Sequence, residues 1–499
     1  MTLVARAAIG MLVLLAAGCV PEAAQGGKQG ARPSGSHNHR HQSAASDQST
    51  PARHLLQHLW TRSIAPNADS VPVYAAHVRF PHGKTRPVLF VLAGNNTADC
   101  SPSDPVSQAT LYAFNPASGK VYWKRSTRGP ARCTTSSPVV DSSGRCVYVP
   151  GLDGKVHRYQ AYNGKESKVP GWPHTVTLMP DVEKVSAALT LGRGYLYVTT
   201  SGFIGDQGHY EGHLVSINLK NGHSHVFNTL CSNIHRLLGP GPGSRNYCPY
   251  VTSGLFGRGE GEVGQNGDVW IVSGNGAWNG HTNWGDSVLK MNPAGNRLLD
   301  SYTPVDQAYL ANNDLDLGST APAFLPPLKV NGHVYRLVVQ AGKGPSCDGC
   351  SGVAVRLLNA DNLSEGGGPG HLGGDLRDAN SPGGCEVLTA PAVWKSPGDV
   401  VWVFYANDCG FTGYRLTHHG AHFGLSAAWQ LGRSGTGPVV SGGKLFLAYS
   451  GGLRVYRLSD HRVLASASLG QVHWQYPAIG GHRLFVSDQA GHITSFWAG

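Results

Sequence analysis

Hydrophobic and polar positions along this chain alternate in short runs, and few runs exceed the length of one strand. LYVTT (Leu196–Thr200), VWIVSG (Val269–Gly274) and KLFLAY (Lys444–Tyr449) have the period-two pattern of strands with one or both faces covered. Each run leads into a turn rich in Gly, Asn or Pro. The fullest example of that turn and the strand after it is AFNPASGKVYW (Ala113–Trp123), with echoes in AYNGKES (Ala161–Ser167), SINLKNGHSHVF (Ser216–Phe227) and KMNPAGNRLL (Lys290–Leu299). A phrase that returns every few tens of residues marks a repeat architecture. Here the unit is a four-stranded antiparallel sheet, so the expected fold is all-β, a β-propeller. No apolar pattern of helical period is long enough to compete.

Dividing the chain at its turns gives eight blades, with seven as the alternative count. They begin near Val71, Ser136, Val185, Ser253, Ser319, Thr389, Thr436 and Tyr476. The eighth, Tyr476–Trp497, has material for only three strands. HLWTRS (His58–Ser63) precedes the first blade and has no partner of its own, so it is expected to complete the eighth and close the ring. Closure removes the exposed sheet edges. A ring also explains how 499 residues form one domain, 54–499, because the core grows around the circle.

Composition adds the compartment. Arg6, the apolar stretch Ala7–Ala17 and LAAGC (Leu15–Cys19) form an export signal over residues 1–19. Gly18-Cys19 has the form of a lipobox, so Cys19 is the expected lipidation site, with ordinary cleavage to a soluble protein as the alternative. Residues 20–53 are too polar to fold alone and suit a tether. HNHRH (His37–His41) within it is either solvated tail or a metal ligand. The expected location is the periplasm or the outer membrane, with a lipid anchor as the only membrane contact.

Ten cysteines in an exported chain point to disulfides. Cys100 and Cys133 fall in neighbouring rim loops, as do Cys385 and Cys409. Cys231 and Cys248 bracket an insertion, and Cys347 and Cys350 form CDGC, read as a small structural disulfide rather than a redox or metal pair. With Cys19 set aside, Cys146 is left over and is expected to be a buried free thiol.

Only 14% of residues are charged, against roughly 25% in an average domain. Asp and Glu number 30, against 40 Lys and Arg and 24 His. The basic residues are scattered, which argues against nucleic acid. A carboxylate-poor surface loses few ion pairs when acidified, so the composition fits either an acidic exterior or an ordinary basic secreted protein.

Ala113–Trp123 resembles the blade motif of the quinoprotein dehydrogenase superfamily, in which the Trp of one blade packs on a peptide of the next. The resemblance covers roughly residues 54–499. SGNGAWNGHTNWGDSVLKMN (Ser273–Asn292) is similar to the segment that supplies an Asn ligand to calcium, which implies Asn275. YTPVDQAYLANNDLDLGSTAP (Tyr302–Pro322) falls where those enzymes place a catalytic Asp, which implies Asp314 or Asp316. SGFIGDQGHYEGHL (Ser201–Leu214) departs from their calcium-binding Glu, offering Ile204, Gly205 and Asp206, and the vicinal cysteine pair is missing.

That combination, with the export signal and the shortage of carboxylates, resembles the tetrathionate hydrolases of acidophilic sulfur-oxidising bacteria. The resemblance implies hydrolysis of tetrathionate to thiosulfate, sulfate and sulfur species at acidic pH, with no cofactor. A doubly anionic substrate calls for convergent cationic donors, and the candidates in rim loops are His209, Arg258, His281 and Lys343, beside Asn275. Asp314 and Asp316, two apart, would point to one face of an extended segment and serve as base and acid. Trp278 and Trp284 either wall the site or pack between blades. Two other functions stay open: a non-enzymatic lipoprotein scaffold of the cell envelope, and a dehydrogenase dependent on pyrroloquinoline quinone. Whether the chain forms a homodimer is open as well.

Overall fold

The computed structural model describes residues 53–66, 69–94, 108–257, 262–345 and 353–499. The leader, the tether with its histidines, Cys19, Cys100, Arg258, Cys347 and Cys350 lie outside these ranges. Eight antiparallel sheets follow one another around a ring, seven of four strands and blade 3 of five, its inner edge divided between Lys184–Val185 and Thr190–Gly192. Blade 1 is built from Val73–Arg79, Thr85–Gly94, Gln108–Phe114 and Val121–Arg128. Blade 8 is built from Ala478–Gly480, Arg483–Ser487 and His492–Trp497 and is completed by His58–Ser63, which pairs antiparallel with His492–Trp497. The ring therefore closes as the unpartnered N-terminal segment implies, with eight blades rather than seven.

Two departures are local. The innermost strand of blade 4 is Glu262–Val263, some residues beyond its expected start near Ser253. Blade 5 carries an additional hairpin, Leu328–Val330 with His333–Tyr335. Among the described residues no helix is long and apolar enough to cross a membrane.

The second strand of each blade is sandwiched between neighbouring blades, so its residues are buried on both faces. In blade 1 Val88–Ala93 is buried throughout, and in blade 2 so is Cys146–Pro150. Outermost strands are more open to water: in Val121–Arg128 only Trp123 is buried. Innermost strands line the central channel. Several open on an X-Pro pair, which is tolerated because an edge strand does not need every N–H for pairing. Pro72, Pro322, Pro391, Pro438 and Pro477 surround an apolar cavity of about 180 Å³ in that channel.

Neighbouring blades are joined by a repeated device. Trp123, on the outer strand of blade 1, donates from Nε1 to Ala161 O at 3.0 Å, and Arg125 donates from Nε to Gly164 O at 2.7 Å. Blade 8 grips blade 1 in the same way: Trp60 Nε1 donates to Pro116 O at 3.1 Å, and Arg62 Nε to Gly119 O at 3.1 Å. The indoles press on glycines with left-handed backbones, and a Cβ at Gly164 would stand 2.5 Å from the Trp123 ring. This is the contact that the Gly-Lys-x-x-Trp phrase encodes.

Disulfides join Cys231 to Cys248 and Cys385 to Cys409, and Cys133 is disulfide-bonded. Cys146 is disulfide-bonded too, which overturns the expected free thiol. That expectation followed from withholding Cys19, which left an odd number; no described cysteine is free.

Candidate active site

Four loops on one rim, from blades 3, 4 and 5, meet at a buried carboxylate. Asp316 lies between the last strand of blade 4 (Leu298–Tyr302) and the first of blade 5 (Ala323–Phe324). It is 4% exposed and starts a single 3-10 turn, Leu317–Ser319. Its Oδ1 accepts the Asn275 backbone N–H at 2.9 Å. Its Oδ2 stands 2.6 Å from the Lys343 ammonium, which is also 3.7 Å from Asp314 Oδ1. The Asn275 side chain turns the other way and donates from Nδ2 to Asp206 Oδ2 at 3.1 Å, while the Tyr210 hydroxyl donates to Asp206 Oδ1 at 2.5 Å.

Glycine makes this approach feasible. A Cβ at Gly274 would lie 2.1 Å from Asp316 Oδ1, and one at Gly342 would lie 2.8 Å from Asp316 O. Non-glycine residues around the site also hold left-handed backbones: Asp206 (φ 48°), Thr252 (φ 76°), Ser253 (φ 56°) and Asp314 (φ 55°). Each such conformation costs energy that the surrounding structure must supply, and such residues cluster at functional sites. Here Thr252 and Ser253 are held by the Asn275 carbonyl, which accepts Thr252 Oγ1 at 2.8 Å and Ser253 N at 2.7 Å.

Burial raises the Asp316 carboxyl above its ordinary range, and Lys343 opposes the rise. Burial alone would lower Lys343, but Asp316 and Asp314 more than offset it, so the ammonium is held above its usual value. Burial, with Asp206 adding to it, keeps the Tyr210 hydroxyl protonated. The result is a protonated cation clamped between one buried and one exposed carboxyl group. Such a set can hold a proton at one oxygen and accept one at another.

The structure brings together Asp314, Asp316, Asn275 and Lys343, but not in the expected manner. The Asp314–Asp316 segment is not extended. Asp314 is left-handed, and its side chain is 65% exposed against 5% for Asp316, so the pair converges only through Lys343. Lys343, expected as a free substrate donor, is engaged by both carboxylates. His209 lies in a neighbouring cluster, with Nε2 3.0 Å from Cys248 O and 3.1 Å from Glu211 Oε1. His281 sits on an exposed turn whose backbone N–H is bonded by Asn279 Oδ1. Trp284 is packing: it belongs to the blade 4 core and donates to Ser232 Oγ at 3.0 Å. Trp278 is half-buried and bridges to Trp284. Tyr210 was missed altogether, and Asp206 was read only as a departure. The left-handed turn forced at Asp-Gln-Gly (Asp206–Gly208) is the local signal that marks them.

A calcium–quinone centre finds one suitable atom here, Asn275 Oδ1, which is buried without a hydrogen-bond partner. The remaining donors do not fit. Both Asp206 oxygens are taken by Tyr210 and Asn275, and an ammonium occupies Asp316. Among the described residues no group of three His, Cys, Asp or Glu is arranged to hold a metal ion.

Residues 71–241 match the family described as outer membrane protein assembly factor BamB. No curated protein sequence matches the chain. Among solved structures, a europium-containing methanol dehydrogenase superposes with a TM-score of 0.56 at 14% identity, covering 86% of this chain and 84% of that one. The quinohemoprotein alcohol dehydrogenase of Comamonas testosteroni gives 0.56 at 13% identity, over 89% and 76%. Sqt1 of Saccharomyces cerevisiae gives 0.50 at 11%, over 89% and 99%. At such identities the likeness shows the fold alone. The chain folds as an eight-bladed propeller, and its residues 71–241 carry the repeat described by that family model.

Proposed function

We propose that the rim site is a hydrolytic acid–base centre and that its substrate is the sulfur dianion tetrathionate. The observation that carries the reading is the Asp316–Lys343–Asp314 arrangement, a buried carboxyl whose ionisation is governed by one ammonium and whose neighbour is open to water. An assembly scaffold has no evident use for a buried ion pair held by strained loops. In the proposed reaction water adds to a terminal sulfonate sulfur, and the adjoining S–S bond breaks with its electron pair leaving on the inner sulfur. Sulfate departs from one end, and the remaining sulfane sulfonate loses sulfur to give thiosulfate. One carboxylate takes the proton of the attacking water, and the other carboxyl protonates the departing sulfur. Lys343 supplies positive charge where the sulfonate approaches.

The test is direct: purified protein is mixed with tetrathionate from about pH 3 to neutral pH, across the range in which carboxyls ionise, and thiosulfate and sulfate are followed. Absence of turnover from acid to neutral pH overturns the reading. A second reading, a non-enzymatic envelope scaffold, is favoured by the family match over residues 71–241. It predicts no turnover, together with saturable binding of extended peptides from outer-membrane proteins.

A further inference from the structure

Directly behind the rim centre lies a carboxyl group that the reaction above does not use. Asp286 is fully buried and left-handed, with φ 49°. Its backbone N–H donates to Gly274 O at 2.8 Å. Its Oδ1 accepts the Leu317 backbone N–H at 3.0 Å, and Leu317 is the residue after Asp316. Its Oδ2 stands 3.5 Å from Gln307 Nε2, which donates more closely, at 2.8 Å, to Gly276 O. One side chain and its own backbone thus tie the residue before Asn275, the residue after Asp316 and the helix Gln307–Asn312 into a single unit.

We infer that Asp286 is the positioning residue of the site, fixing the Asp316 carboxyl against the Asn275 amide and the Lys343 ammonium. The inference rests on the rim centre being catalytic. Its physical basis is that Asp316 sits in a loop with no strand pairing and is held from two sides. Blade 5 holds it through Lys343 N–H on Asp316 O at 3.0 Å and Gln340 Nε2 on Leu317 O at 2.9 Å. The Asp286–Leu317 bond holds it from blade 4 and ties it to the Asn275 loop. The strained backbone at Asp286 points the same way, because a left-handed Asp in a fully buried position persists only where its surroundings over-determine it. Burial favours the neutral form of Asp286; its bond from Leu317 opposes this, Asp316 adds to it, and Gln307 and Arg356 act against it.

Three substitutions test the assignment with tetrathionate as the probe. Asp286→Ala removes the acceptor for Leu317 and is expected to lower kcat roughly a hundredfold, the effect of a displacement of about 1 Å, with KM little changed. Asp286→Asn keeps an oxygen facing Leu317 and should restore most of kcat. In an Asp316→Asn background, Asp286→Ala should cost nothing further, because a positioning residue acts only through what it positions. Equal losses in both backgrounds, or full activity of Asp286→Ala, overturn the inference. Hydrogen exchange at the Leu317 amide separates this from the choice of substrate. Protection lost in Asp286→Ala and kept in Asp286→Asn supports the positioning role even if tetrathionate is not turned over. Unchanged protection in Asp286→Ala sinks it. If the alanine variant fails to fold, Gln307→Leu tests the same unit from its other side, with retained protection and full kcat counting against it.

Discussion

Lys343 stands 2.6 Å from Asp316 and 3.7 Å from Asp314, on the side of Asp316 opposite to its bond with the Asn275 amide. One ammonium therefore serves two carboxylates of very different exposure. Because Lys343 lowers the Asp316 pKa, replacing it by Met removes the main force keeping that carboxyl ionised. The Asp316 pKa then rises. If turnover needs ionised Asp316, the acid limb of the kcat profile moves to higher pH. A pH–rate profile of Lys343→Met identical in shape to the wild type would show that the ion pair is structural.

Asp314→Asn and Asp316→Asn are each expected to lower turnover by roughly a hundredfold or more, the usual cost of losing a general acid or base. Their stabilities should differ. Asp314 is largely solvated, so its amide variant should melt like the wild type. Asp316→Asn leaves Lys343 without its close partner in a half-buried site and should melt lower. Paired kinetic and melting measurements distinguish a chemical role from an architectural one. Near-normal rates for both variants at every pH would place the chemistry elsewhere.

Glu211 makes a prediction about stability. It is fully buried, and His209 Nε2, 3.1 Å away, is already given to the Cys248 carbonyl. Burial, with Glu183 beside it, pushes the carboxyl up to about 8. A raised carboxyl pKa means that the native state holds its proton more tightly than the unfolded chain does. The stability this contributes is full below the ordinary Glu pKa of about 4.3 and is lost as pH rises through about 8. Melting temperature should fall across that interval in the wild type and fall less in Glu211→Gln. Parallel curves for the two proteins would show that Glu211 is not the group responsible.

The blade contacts can be tested with glycines. Gly164 and Gly83 both have left-handed backbones, at φ 67° and φ 71°. A Cβ at Gly164 meets the Trp123 ring at 2.5 Å, whereas at Gly83 nothing lies within 4 Å. Gly83→Ala should cost about 1 kcal/mol from backbone strain. Gly164→Ala should cost roughly 2–4 kcal/mol, because an overpacked blade interface is added to that strain. Equal midpoints in urea would refute the idea that the Trp–Gly contact couples the blades.

What the sequence reveals here is set by the range of the forces involved. His58–Ser63 is legible to the residue because an alternating segment without a partner and a last blade lacking a strand are both local patterns. Trp123 and Gly164 are legible because the repeat spells them out. Asp314 and Asp316 stand out by composition, yet their geometry is not extended, because a left-handed turn at Asp314 replaces the period of a strand. The bond of Asp206 to Asn275 and the capture of Lys343 by Asp316 join segments 69 and 27 residues apart, and no spacing along the chain encodes them.

The antiparallel seam between His58–Ser63 and His492–Trp497 has a kinetic consequence. His58–Ser63 has no sheet neighbour until His492–Trp497 has been made, so the ring cannot lock before then. A product lacking that strand would leave His58–Ser63 unpaired and one face of blade 1 uncovered. The seam thus makes closure of the ring depend on segments more than four hundred residues apart in sequence.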